Sequence, residues 1–422
     1  MSEKMRQHAH IMIKNILDEN MPQPAVQRAL AGHNFTGHVY ILAIGKAAWA
    51  MTKAATDFLG DRLARGIVIT KYGHSRGNIP GIDIYEAAHP IIDSNAIKAT
   101  EKAVAMARTL GHNDELLFFI SGGGSALFEL PLPGITLDDL KALSSKLLAS
   151  GADIVEINML RKRLSAVKAG RFAAMAAPAK VFAIVLSDVL GDRLDSIASG
   201  PAAPDASTAV DAHKVVEKYN IQLNSTMESY LTQETPKTAD NVKTVITGSV
   251  RLLCESAAKA ANQLGYTPHI LTTMLNCEAG HAGKFLASIA MDIQNNTSTF
   301  KAPCAIICGG ETVVNVKGNG KGGRNQELAL AAARGIAGLN NTLLFSLGSD
   351  GTDGPTDAAG GMVDGHTAAK LKMAGLDIDA VLANNNSYNA LTVVDGLIIT
   401  GPTGTNVNDV AVLLIGGDYD QY

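Results

Sequence analysis

"ELLFFISGGGSAL", residues 115–127, passes from an apolar β-prone run ending at Ser121 into Gly122, Gly123 and Gly124, and then into a helical start. A continuous apolar run marks a strand covered on both faces, as in a parallel sheet flanked by helices. Consecutive glycines let backbone N–H groups converge, and a following helix adds its positive end. Ser121 to Ser125 therefore forms an anion-binding turn on this reading. A plain strand-to-helix turn would not need glycines, which cost backbone entropy.

The same grammar extends in both directions. "HVYILAIG", "GIVITKYG" and "IDIYEAAH" precede the stretch and "KVFAIVLSDV" follows it, with Ala- and Leu-rich helical patterns between. Beyond the polar, proline-containing "TQETPKTADN" (232–241) the alternation resumes with "VKTVITGS", "TPHILTTM", "PCAIICGGET", "NTLLFSLGSDGTDG" and "VNDVAVLLIGG". The expectation is an α/β protein of two domains, 1–238 and 239–422, each a largely parallel sheet covered by helices. Both halves carry a strand running into glycines and a later strand ending in Ser-Asp, a faint trace of duplication.

Length and composition agree. A chain of 422 residues that is 46% hydrophobic exceeds one compact core. A net charge of −4, with both signs dispersed, supplies neither a basic stripe for nucleic acid nor a polybasic membrane patch, so small polar ligands fit better. Cys254, Cys277, Cys304 and Cys308 lack the spacing of a zinc site or a secreted disulfide framework. Together with an amphipathic, charged amino-terminal helix in place of a signal peptide, they point to the cytoplasm.

Ligands of open α/β sheets bind at the carboxyl ends of the strands, and the unusual residues gather there. Lys46 follows the strand of "HVYILAIG" at the first turn of a helix, where a cation opposes the helix dipole unless an anion joins it. Asp188 ends another strand, with Asp192 four residues on and Asp195 beyond. Such carboxylates suit Mg²⁺, which takes one or two of them plus phosphate oxygens, or else serve as a helix cap and solvated acids. Asp350, Asp353 and Asp357 lie among glycines without the terminal glutamate of a calcium loop.

"GNGKGGRNQE" (318–327) contains G-x-G-x-x-G after the extended run "TVVNVK", polar enough for an edge hairpin. A dinucleotide fingerprint belongs in the first βα unit, with an acid about twenty residues later. This loop lies in the second half and Asp350 comes late, so its glycines serve better as a mount for Arg324, whose planar fork suits a carboxylate or phosphate. A P-loop, the protein-kinase signatures, His-Glu-x-x-His and Gly-x-Ser-x-Gly are all absent from the sequence.

Taken together, "AIGKAAWAM", "AAHPIIDSN", "FFISGGGSALFELP", "INMLRKRLSAVKAGRFA", "LSDVLGDRLDSIASGPAAPD", "CGGETVVNVKGNGKGGRNQELALA", "GSDGTDGPTDAAGG" and "TGPTGTNVNDVAVLLI" resemble the class II glycerate 2-kinase family, whose carboxy-terminal part is the MOFRL domain. The resemblance implies a Rossmann-like first domain, a MOFRL-type second domain and an active site in the cleft between them. It implies ATP- and Mg²⁺-dependent phosphorylation of the 2-hydroxyl of D-glycerate. Lys46 and Arg324 then stand at the reacting phosphate and substrate, with Asp188 a first choice for the base and Asp188 or Asp192 for the metal. The Ser121–Ser125 turn takes the nucleotide phosphates, and Glu311, Asp350, Asp353, Thr405 and Asn406 line the substrate cleft. Partners are expected to be D-glycerate and ATP, with a homodimer compatible and no nucleic acid or membrane. The rival enzyme reading is an NAD(P)H-dependent hydroxypyruvate reductase; the non-enzyme reading is a sugar-phosphate sensing module.

Overall fold

The structure, a computed structural model, describes residues 2–417; Met1 of the expected amino-terminal helix and 418–422 of the expected second domain lie outside them. The chain divides into two units, Ala25–Thr247 and Met1–Pro24 with Gly248–Tyr422.

The first unit is built on β1 (His38–Ile44), β2 (Leu63–Lys71), β3 (Ile82–Ala87), β4 (Asp114–Ile120), β5 (Lys180–Leu186) and β6 (Val242–Gly248), in the order β3-β2-β1-β4-β5-β6. The pairs β1/β2, β2/β3, β1/β4 and β4/β5 are parallel. This is the Rossmann order, whose direction of winding reverses between β1 and β4. Residues 116–120 of β4 are all buried, as their unbroken apolar run requires. Phe118, Phe128 and Phe172 meet with ring centroids 5.1 to 6.0 Å apart and anchor the core. Each such side chain is worth about 1.5–3 kcal/mol of burial.

The second unit contains β7 (Thr267–Leu275), β8 (Cys304–Gly310), β9 (Thr342–Gly348), β10 (Gly360–Asp364), β11 (Leu397–Ile398) and β12 (Asp409–Ile415), ordered β11-β10-β9-β12-β8-β7. Only β7/β8 is parallel; β8/β12, β12/β9, β9/β10 and β10/β11 are antiparallel. Thus β7, β8, β9 and β11 run one way while β10 and β12 run the other, and the sheet is mixed where a largely parallel one was expected. The buried run "DVAVLLI" of β12 is what a parallel strand would also show, so its direction is not visible in its composition. Cys304 and Cys308 are core thiols of β8, and burial pushes their pKa values up to about 11 and about 12.

Two further expectations change. The boundary falls at Thr247/Gly248 and not after 238, because "VKTVITGS" forms β6 beside β5 instead of opening the second unit. Residues 1–24 also join the second unit. Along the helix Ser2–Glu19 the buried Met5, Ala9, Met12, Ile13 and Ile16 form one apolar face, Arg6 pairs with Asp364 at the end of β10 at 3.0 Å, and Asn20 donates to Ser256 Oγ at 3.0 Å. "TVVNVK" is not a strand: its one ladder contact is a bridge from Val313 to Glu278.

The helix Arg324–Gly335 is buried along most of its length and packs on the helix Ala279–Gln294. Gly283 permits the approach, since a Cβ there would collide with the Leu328 carbonyl.

Candidate active site

At the β1/β4 switch point, the turn after β1 and the turn after β4 are tied together. The Ser121 hydroxyl donates to the Ile44 carbonyl at 3.0 Å and accepts the Ala47 amide at 3.1 Å, while the Lys46 amide donates to the Gly122 carbonyl at 2.9 Å. Gly45 has φ +107°, and a Cβ there would strike Ser121, so both glycine and serine are needed to bring Lys46 against the second turn. Lys46 Cγ and the His89 ring flank Gly123, at 3.5 and 3.0 Å from where its Cβ would be. The amides of Gly122 and Gly123 donate to no protein acceptor among the described residues, leaving them for a ligand.

The hydroxyls of the expected phosphate turn are engaged within the protein. Ser121 clamps the turn as described, and Ser125 Oγ meets Ser199 Oγ at 2.8 Å, which in turn donates to Asn158 at 3.2 Å. Beneath this turn lies a fully buried pair, Lys168 and Glu129, at 3.4 Å. Lys168 donates to the carbonyls of Ser125 (2.7 Å) and Phe128 (3.2 Å), and burial lowers its pKa to about 8 despite Glu129. The basic string "INMLRKRLSAVKAGRFA" is thus largely scaffold.

Asp188, at the end of β5, presents its carboxylate to Gly122, where a Cβ would overlap it. Asp192 adopts φ +53° and its buried Oδ1 has no hydrogen-bond partner. An orphaned acceptor beside a glycine turn is what a bound cation would satisfy, and Mg²⁺ needs only one or two carboxylates beside substrate oxygens. Asp188 and Asp192 fit that donor set, although no group of three or more His, Cys, Asp or Glu among the described residues is arranged to hold a metal by itself. Asp195, expected in solvent, instead pairs with Lys162 at 3.2 Å and Arg193 at 3.2 Å.

In the second unit, Arg324 opens its helix and its guanidinium grips the Asp409 carboxylate from Nε (2.5 Å) and Nη2 (3.0 Å), while Nη1 reaches Glu311 at 2.9 Å. Asn408 Nδ2 lies 3.4 Å from the other Glu311 oxygen. Burial opposes both charges of the main pair. The bonds to Asp409 keep Arg324 firmly protonated, whereas burial, with the nearby Asp353 charge, pushes Asp409 up to about 6 against the pull of Arg324. About a third of the Arg324 side chain remains exposed, at 34%.

The glycine loop before Arg324 is filled by the protein itself. Asn385 Oδ1 accepts the amides of Lys317 (2.8 Å) and Gly318 (3.0 Å), Asn384 takes those of Asn319 and Gly320, and Asn386 Oδ1 takes that of Lys321. Asp353 occupies the helix amino-terminus, accepting the amides of Asn325 and Gln326. A Cβ at Gly318, Gly320, Gly322 or Gly323 would strike Asn384, Asn386, Ser387 or Asp353, so the close approach these glycines allow is to the protein's own segments and not to a pyrophosphate, which weighs against a dinucleotide fingerprint.

Of the other expected residues, Asp350 Oδ1 caps the Thr352 amide at 3.0 Å, and its carbonyl accepts from Thr403 at 3.1 Å. Asn406 Oδ1 accepts the Asn408 amide at 3.3 Å, and the buried Thr405 hydroxyl has no partner. The structure therefore gathers Glu311, Arg324 and Asp353 around Asp409, and Lys46, Asp188 and Gly122–Gly124 around the switch point. Sequence reasoning missed Asp409, whose position at the head of "DVAVLLI" was a signal, and His89, a lone histidine with no pattern about it.

A Rossmann-ordered sheet with open amides and a lysine at its switch point defines a class: α/β enzymes that manage an oxyanion at the carboxyl edge of the strands. Comparison with known proteins narrows this. Residues 8–232 match a domain of unknown function, DUF4147, and residues 304–409 match the MOFRL family. The D-glycerate 2-kinase of Thermotoga maritima is 52% identical over 98% of this chain and 99% of its own. A putative hydroxypyruvate reductase of Agrobacterium vitis is 40% identical over 90% of this chain and 88% of its own. A crystal structure of glycerate kinase from Thermotoga maritima superposes with a TM-score of 0.95 at 52% identity, covering 98% of this chain and 100% of that one. The chain belongs to the class II glycerate 2-kinase family.

Proposed function

We propose that the protein is a glycerate 2-kinase, transferring the terminal phosphoryl group of ATP to the 2-hydroxyl of D-glycerate. The observation that carries this reading is Lys46 held beside the open amides of Gly122 and Gly123 at the switch point, in a chain whose 52%-identical relative is named D-glycerate 2-kinase.

In the reaction the 2-hydroxyl oxygen forms a bond to the γ-phosphorus as the bond to the ADP oxygen breaks, and the hydroxyl proton departs. Lys46 neutralises charge on the transferring group, and the two glycine amides cradle its oxygens. Arg324, aimed by Asp409, binds an oxyanion of the substrates through its exposed edge. Asp188, following β5 and lying against Gly122, would accept the hydroxyl proton. Asp188 and Asp192 would hold Mg²⁺, which would supply positive charge to screen the phosphates. No helix among the described residues is long and apolar enough to cross a membrane.

The test is an ATP-coupled turnover assay with D-glycerate and L-glycerate, with NMR to identify the phosphorylated oxygen. A parallel arm follows NADH and NADPH with hydroxypyruvate. ADP release with D-glycerate and a 2-phospho product supports the reading; nicotinamide oxidation without ADP release would refute it. The reductase reading takes its weight from the name of the Agrobacterium vitis relative, and the filled G-x-G-x-x-G loop weighs against it.

A further inference from the structure

We infer that Lys71, His74 and His89 complete, with Lys46, a basic subsite for an oxyanion at the carboxyl edge of β1–β3, and that its occupant is a phosphate of the nucleotide.

Strand register brings the four together. Lys71 ends β2 opposite Ala87, the last residue of β3, and the next amide, Tyr72, donates to the Ala87 carbonyl at 3.1 Å. His89 follows two residues later. His74 turns back so that Nδ1 lies 3.3 Å from the Lys46 carbonyl. Gly123, at φ +84°, is the point of closest approach: its missing Cβ leaves room for the His89 ring, with Cδ2 at 3.0 Å and Nε2 at 3.1 Å, and for the Lys46 stem at 3.5 Å.

Basic groups predominate in this cluster, with Asp188 against Gly122 the carboxylate on its far side. No salt bridge among the described residues includes Lys46, Lys71, His74 or His89. The acids of the same loops are held by neutral donors and make no ion pair with the four basic groups. Glu86 accepts the amides of Gly73 (3.1 Å) and Ser75 (3.0 Å), and Asp93 takes the Tyr72 hydroxyl (2.7 Å) and caps Ala96 (2.9 Å). His89 feels the crowding. Burial and then the charges of Lys46, Lys71 and His74 hold its imidazole below the usual range, so it meets a ligand as a neutral ring able to donate one N–H. Basic groups are assembled at such an edge at an electrostatic cost that a multiply charged oxyanion reverses, and the free amides of Gly122 and Gly123 face the same place.

The oxyanion could be a nucleotide phosphate or the carboxylate of the acid substrate; assigning it to the nucleotide rests on the kinase reading, whereas the existence of the subsite does not. The experiment is calorimetric titration of the full-length protein and its His89→Gln and Lys71→Met variants with inorganic tripolyphosphate, ADP and D-glycerate separately. Thermal midpoints check folding, and if His89→Gln fails to fold, Lys71→Met decides. The expected result is at least a tenfold weakening for tripolyphosphate and ADP, with D-glycerate within twofold. Unchanged dissociation constants for all three ligands overturn the subsite, and weakening for D-glycerate alone overturns the nucleotide assignment. Because binding needs no turnover, failure of the kinase reading would show separately, as absent glycerate phosphorylation by a wild type that still binds tripolyphosphate.

Discussion

Asp353 and Gln326 lock the start of the arginine helix: one carboxylate oxygen of Asp353 accepts both the Gln326 amide at 2.9 Å and its side-chain Nε2 at 3.0 Å, and the other accepts the Asn325 amide at 3.1 Å. Removing this buried cap strands the two backbone amides, while the Gln326 Nε2 keeps Thr356 Oγ1 at 2.9 Å. Asp353→Ala should cost about 2 kcal/mol in urea unfolding with an unchanged m-value, and reduce turnover because Arg324 is the first residue of the helix it fixes. Full stability in the variant would show that the cap is dispensable.

Lys46 and Arg324 are expected to govern chemistry, and Arg324 also to hold the buried Asp409. Alanine at either should lower turnover at least about a hundredfold; the unfolding midpoint should stay near wild type for Lys46→Ala but fall for Arg324→Ala, which leaves the buried Asp409 without its partner. Arg324→Lys should rescue little, since an ammonium cannot grip Asp409 from two nitrogens and reach Glu311 as well. Near-normal turnover of both alanine variants would displace these residues from the mechanism.

The Asp409 carboxyl, raised from the usual 3.8 to about 6, makes two pH signatures. Between those values the folded state holds a proton that the unfolded state has released. Asp409 therefore contributes stability that is complete below the usual value and is lost as pH climbs through about 6. Activity runs the opposite way, because protonation weakens the grip on Arg324: kcat/KM should decline as pH falls below about 6. Asp409→Asn should flatten both profiles, as measured by denaturant titration and initial rates across pH 4.5 to about 8.

For the buried Lys168–Glu129 pair, the single and double variants should differ in kind. Glu129→Gln leaves the buried Lys168 without its carboxylate and should cost about 3–5 kcal/mol, Lys168→Met less because Arg161 still stands 3.8 Å from Glu129, and the double variant should recover a large part of the loss. Additive losses in equilibrium unfolding would contradict a coupled pair.

The parts of the molecule written in local pattern were legible. The strand runs at β1 to β5, β7 to β9 and β12, and the placement of Lys46 and Asp188 at strand ends, follow from apolar runs punctuated by glycine. What escaped is set by distant segments. "GGMVD" is too short and glycine-rich to announce β10, and the alternation in "TVVNVK" has no strand beside it to pair with. The glycines of "GNGKGGRNQE" advertise an open phosphate loop until Asn384, Asn385, Asn386 and Asp353 arrive from elsewhere to take its amides. Spacing alone shows the donors of such a loop but not the acceptors that fill it.

The helix Ser2–Glu19 belongs to the unit assembled from the last part of the chain, and that fixes an order in time. On the ribosome this helix emerges before Ala25–Thr247, with an apolar face whose covering residues come only after β6, while Ala25–Thr247 can complete its own core as soon as β6 has been made. A helix made ahead of the first unit is then placed after it, waiting for strands that the ribosome has still to produce.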